Sequence, residues 1–115
     1  MSAGVLPTAL IQMKCSADPA DNLERALGFT RQAAKNGARL ICLPELFRSR
    51  YFCQSEDSAH FALAEPVPGP TTEAFAALAV ESGATIVISL FERRAPGLFH
   101  NTAAVIDGAK GYAGK

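Results

Sequence analysis

The chain is 115 residues long, 49% hydrophobic and 19% charged, with eleven basic side chains balancing eleven acidic ones. That length holds one domain or part of one, and the hydrophobic fraction argues against wholesale disorder. A formal net charge of +0 removes the usual electrostatic basis for binding nucleic acid or an anionic membrane surface. Arg93–Arg94 is the sole adjacent basic pair. No stretch approaches the ~20 consecutive apolar residues that span a bilayer, and Met1–Pro7 lacks the basic segment and long apolar core of a signal peptide. A soluble cytoplasmic protein is expected. Cys15, Cys42 and Cys53 are odd in number and include no CxxC, so each reads as a small buried hydrophobe rather than a disulfide partner or metal ligand.

The first apolar run, Val5 to Met13, is short and nearly continuous and suits a strand buried on both faces. Asp18 then offers an N-cap and Pro19 a first helical position. Leu23, Ala26, Leu27, Thr30, Ala33 and Ala34 form the apolar stripe of the helix that follows, which Asn36-Gly37 stops. A second strand, Arg39–Leu43, ends at Pro44, which cannot donate to a ladder. Residues 46–60 have no clear period and read as a loop, with room for a short helical turn. Glu65–Pro70 is a proline-stiffened connection. Pro70 opens a second helix with Phe75, Leu78, Ala79 and Ser82 on its inner face, stopped by Gly83. Thr85–Phe91 is a β-branched strand and Ala95-Pro96-Gly97 a turn signal. Thr102–Ile106 is a fourth strand, and the segment from Tyr112 has the character of an entry to another. The order β-α-β-α-β-β implies an α/β fold with a parallel central sheet and a hairpin-like return at one edge.

In open α/β sheets ligands bind beyond the carboxyl ends of the strands. Glu45 is placed there, directly after the second strand and between Leu43, Leu46 and Phe47, as a candidate general base. The same position suits a Glu that caps a helix or pairs with a surface Arg, and spacing alone does not separate these. Lys14–Asp18, the loop after the first strand, has no glycine to let backbone N–H groups approach a phosphate, which disfavours a nucleotide-binding module. His60 and His100 lack metal-ligand spacing and read as loop or surface residues. Tyr51 and Phe52 follow Glu45 on the same rim, where they either line a pocket or anchor the loop.

Several motifs together resemble the opening half of the nitrilase, or carbon–nitrogen hydrolase, superfamily: Leu10–Met13, Asp18–Leu23, Gly37–Ile41, Leu43-Pro44-Glu45-Leu46-Phe47, Ser89–Glu92 and His100–Gly108. Tyr51–Gln54 and Ala64–Thr72 most resemble its N-carbamoylputrescine amidase branch. The resemblance implies the N-terminal part of an α-β-β-α sandwich acting on a small carbamoyl or amide substrate. It implies a Cys nucleophile, a Lys that supports the oxyanion, and a Glu general base matching Glu45. It implies no metal or organic cofactor, and a homo-oligomer for the intact protein. On the branch resemblance, N-carbamoylputrescine would give putrescine, ammonia and carbon dioxide. The other readings are a β-ureidopropionase-like or ω-amidase-like enzyme, an inert fragment serving as an interaction subunit, and a generic doubly wound binding module.

The sequence departs from the pattern in two places. Arg48-Ser49-Arg50 stands where many members have a Gly, so a different pocket entrance is expected. The family's Lys motif follows the strand that begins near Tyr112, and its Cys lies further on. Lys115 precedes the Lys position, and Cys15, Cys42 and Cys53 do not match the Cys motif. Cys42 also has the wrong parity to share a strand face with Glu45 if that strand stays regular to its end. Residues 1–115 therefore read as an incomplete N-terminal part of one domain. They are expected to be inactive alone and poorly stable, with an open sheet edge and an uncovered face.

Overall fold

Turn residues and apolar periodicity divide the chain into β1 (Thr8–Leu10), α1 (Pro19–Lys35), β2 (Leu40–Cys42), a 3-10 helix (Ser58–Leu63), α2 (Pro70–Ser82), β3 (Thr85–Ala95), β4 (Leu98–Asp107) and β5 (Gly111–Gly114). The computed structural model describes residues 4–115. Asp18 caps α1 by accepting from the Ala20 N–H at 3.0 Å, with Pro19 in the first turn where its missing donor costs nothing. α1 buries Ala26 and Thr30 and packs Leu23, Leu27, Ala33 and Ala34 partly on the core, as the stripe predicts. α2 ends on Gly83 at φ 73°, a left-handed cap that other residues adopt only under strain.

The five strands form one sheet in the order β1-β2-β3-β4-β5. β1, β2 and β3 are parallel, while β4 and β5 return antiparallel. The apolar residues buried along β2, β3 and β4 are Ile41, Ile86, Ile88, Leu90, Ala104 and Ile106, which alternate onto a single face together with Glu92 and Thr102. They share one core cluster with Ala26 of α1 and Phe75, Leu78 and Ala79 of α2, so both helices cover that face. The opposite face carries half-buried Val87 and Ser89 and exposed Asn101, Ala103 and Val105.

Two expectations are corrected. The apolar run from Val5 to Met13 is not a strand buried on both faces: β1 spans three residues at the sheet edge, and Leu10 is 79% exposed. Among the described residues β1 pairs only with β2, at the end of the strand order. The strand expected to stop at Phe91 instead runs to Ala95, and β4 starts at Leu98 rather than Thr102. The polar residues 92–94 and 98–101 continue as a hairpin arm because they pair with each other, Glu92 with His100 and Arg93 with Phe99, around the predicted Pro96-Gly97 turn.

Candidate active site

The Glu45 segment follows from how β2 ends. The Leu43 N–H still donates to the Val87 carbonyl at 3.0 Å, and Pro44 then breaks the ladder. Leu46 and Phe47 are buried to 3% and 0% exposure, while Glu45 between them and the strand is exposed. The apolar neighbours expected around the carboxylate thus turn into the core and leave it on the open face. Leu46 takes φ 53°, a left-handed conformation that costs a non-glycine residue about 1–3 kcal/mol unless its surroundings over-determine it.

Two side chains of the open face meet this turn. The Leu46 N–H donates to Ser89 Oγ on β3 at 3.0 Å. Asn101 Nδ2 on β4 donates to Glu45 Oε1 at 2.7 Å. Ser89 Oγ in turn donates to Asn101 Oδ1 at 3.5 Å. Register puts both on one face, since Ser89 lies opposite Ala103 and Asn101 opposite Phe91. Neither residue stands out in sequence except within the two motifs of the family resemblance. Cys42 pairs with Val87 and so shares the Ser89 face. The parity argument separating Cys42 from Glu45 fails because β2 stops at Cys42.

Asn22 links α1 to the same turn. Its buried side chain accepts from the Ser16 N–H at 2.8 Å and donates to the carbonyls of Ser16 and Arg48 at 2.9 and 3.0 Å. The Arg48 guanidinium turns inward, donating to Thr71 Oγ1 at 2.6 Å and Glu65 Oε2 at 3.3 Å. It ties the loop to the start of α2.

Tyr51 is 49% exposed. Its phenol is pushed above its usual range, first by hydrogen bonding with Cys53 and by that group's charge, then by the Glu45 carboxylate. Phe52 packs on Phe91 and His60, with ring centroids 4.8 and 5.3 Å away. Tyr51 and Phe52 both line a cleft of about 480 Å³ with Arg50, His60 and Leu63. Phe52 therefore anchors the loop and lines a cleft at once, and Glu45 is not part of that cleft's wall. The cysteines are less buried than expected: Cys15 and Cys42 are half-buried and Cys53 is exposed. The Cys15 thiol, raised by burial against a smaller opposing pull from Arg25, donates to the Phe47 carbonyl at 3.2 Å. Among the described residues no group of three His, Cys, Asp or Glu side chains could hold a metal ion, and no helix is long and apolar enough to cross a membrane.

A second carboxylate, which the sequence reading passes over, lies on the helix-covered face. Glu92 is 1% exposed and accepts from Thr102 Oγ1 at 2.7 Å, from Arg94 Nη2 at 3.0 Å and from Lys115 Nζ. Lys115 also donates to the Val67 carbonyl at 2.8 Å, so its ammonium is bound on the side away from Glu45. Burial pushes the Glu92 carboxyl up, but the bonds from Arg94, Lys115 and Thr102 outweigh it and hold it at about 2. A depressed carboxylate stabilises the fold above its unfolded value and loses that contribution as pH falls. In melts of the full-length protein, wild type is expected to exceed Glu92→Gln most at neutral pH, and the gap to close as pH drops from 4.5 toward about 2. A gap independent of pH would refute this.

The fold and site together define an α/β layer with a carboxylate fixed beyond the carboxyl ends of parallel strands. Residues 8–115 match the carbon–nitrogen hydrolase family model, and the chain belongs to that family. It is 36% identical over 104 residues to an N-carbamoylputrescine amidase of Solanum lycopersicum, covering 90% of this chain and 34% of that protein. It is 36% identical over 98 residues to an omega-amidase of Mus musculus, covering 84% of this chain and 34% of the other. A carbon–nitrogen hydrolase structure from Helicobacter pylori G27 superposes with a TM-score of 0.86 at 32% identity, over 95% of this chain and 38% of that one. The chain thus spans about a third of the length of the curated relatives it matches.

Proposed function

We propose that residues 1–115 are the N-terminal part of a single carbon–nitrogen hydrolase domain that hydrolyses a linear carbamoyl amide, N-carbamoylputrescine, to putrescine, ammonia and carbon dioxide. The observation that carries this reading is Glu45, held by Asn101 on the open face inside the Leu43–Phe47 motif. In the reaction Glu45 takes the proton of a cysteine thiol, and the thiolate adds to the carbonyl carbon. A lysine ammonium stabilises the resulting oxyanion. Glu45 returns that proton to the departing nitrogen as ammonia leaves, and water activated by Glu45 then hydrolyses the S-carbamoyl enzyme to the carbamic acid of putrescine, which loses carbon dioxide to give putrescine. The cysteine and the lysine come from the remainder of a domain of the relatives' length, so residues 1–115 by themselves are inactive. The intact enzyme is cytoplasmic and homo-oligomeric, and its diamine product belongs to polyamine biosynthesis.

The equal identity to an omega-amidase supports a second reading, an ω-amide substrate. Ammonia release by the full-length protein, measured in parallel on N-carbamoylputrescine and on ω-amides of dicarboxylates, separates the two. A higher kcat/KM for the carbamoyl compound is expected. Preference for the ω-amide would replace the first reading by the second, and no turnover of either would overturn both.

A further inference from the structure

We infer that Asn101 and Ser89 form a positioning clamp that sets the direction of the Glu45 carboxylate. This rests on the reading of Glu45 as the general base. The clamp is a closed ring. Asn101 Nδ2 donates to Glu45 Oε1, Ser89 Oγ donates to Asn101 Oδ1, the Leu46 N–H donates to Ser89 Oγ, and Leu46 is bonded to Glu45. Chemistry fixes the orientation of the amide. An ionised carboxylate only accepts, so the NH2 group faces Glu45 and the amide oxygen faces the hydroxyl. The ring constrains both backbone and side chain of one residue, and the next residue, Leu46, holds a left-handed φ of 53°. Strain of this kind persists where surrounding contacts over-determine it.

The clamp engages Oε1 and leaves Oε2 to receive a proton. A neutral amide suits this task. It fixes the direction of the carboxylate without setting a full positive charge against it, as Lys or Arg would. Asn101 is exposed and fills no core space, so its bond to Glu45 is not a packing requirement.

The test uses the full-length protein. Asn101→Ala is expected to lower kcat about 10- to 100-fold with KM within about two-fold, the scale expected when a reacting group is misplaced by about an ångström. Asn101→Asp keeps the shape but sets a carboxylate against Glu45, and is expected to lose more than Asn101→Ala. Ser89→Ala is expected to fall between wild type and Asn101→Ala. Unfolding midpoints of all three should stay near wild type. Wild-type kcat in Asn101→Ala, or an Asn101→Asp variant as active as wild type, would overturn the clamp. A second readout needs neither turnover nor a change at residue 101. The Asn101 side-chain amide resonances should shift when Glu45 is changed to Ala, and unchanged resonances would overturn the inference. An inactive wild type with that shift present would instead strike the proposed function and leave the clamp standing.

Discussion

On the proposed reading of Glu45 as general base, Glu45→Gln in the full-length protein is expected to lower kcat roughly a hundred- to ten-thousand-fold, the range by which general acid–base catalysis accelerates proton transfer. The substitution is nearly isosteric. The Gln side-chain oxygen still accepts from Asn101, so the ring with Ser89 and Leu46 survives. What is lost is the second oxygen as a proton acceptor, since an amide is a far weaker base than a carboxylate. Because the side chain is exposed and buries no apolar area, the unfolding midpoint should move little. KM should change less than kcat, since the base works as charge develops and not mainly in holding the ground state. Ammonia release under single-turnover and steady-state conditions checks this. A loss confined to KM would remove Glu45 from the role of base, as would a variant within a few-fold of wild type.

Glu45 and its clamp differ in how far the sequence alone discloses them. The position of Glu45 after the second strand is legible because one strand and one proline fix it locally, and its proposed role comes from the resemblance of its five-residue motif. The clamp is not, because Ser89 stands 43 residues from Leu46 and Asn101 stands 56 from Glu45, and only the β3–β4 register brings Ser89 and Asn101 together. Two ordinary polar residues on a sheet face carry no periodic signal that sets them apart from solvated neighbours. Glu92 is hidden for the opposite reason. Its alternation with Leu90 and Ile88 places it on the buried face, but the Ala95-Pro96-Gly97 turn signal that follows makes the strand read as ending at Phe91. The three-residue β1 shows a further limit. A continuous apolar run indicates burial, and it does not distinguish a central strand from an edge strand with one side open. The helices were predicted more closely, because Asp18, Pro19, Pro70 and Gly83 mark their ends with residues whose backbone chemistry is local.

Phe47→Ala is expected to destabilise the full-length protein by about 3–5 kcal/mol, the usual loss when a buried Phe is truncated and its cavity does not collapse. Phe47 is fully buried and meets Phe75 edge to face, with centroids 5.6 Å apart and planes at 81°. Its backbone carbonyl also accepts from the Cys15 thiol at 3.2 Å, so the residue is held from the side of β1 as well. Phe75→Ala opens the same contact from the α2 side and should cost a similar amount, which makes it the control. The two variants should differ in activity. Phe47 is next to Leu46, and its burial is one of the anchors that keep Leu46 left-handed and Glu45 on the open face. Phe75 lies on a helix and shares no backbone with that turn. At a temperature where both variants are folded, Phe47→Ala should lose several-fold more kcat per folded molecule than Phe75→Ala. Urea unfolding gives the stability of each, and turnover normalised to the folded fraction gives the rest. Equal kcat in the two variants would mean that the Ser89 and Asn101 bonds alone hold the turn, without help from the core beneath it.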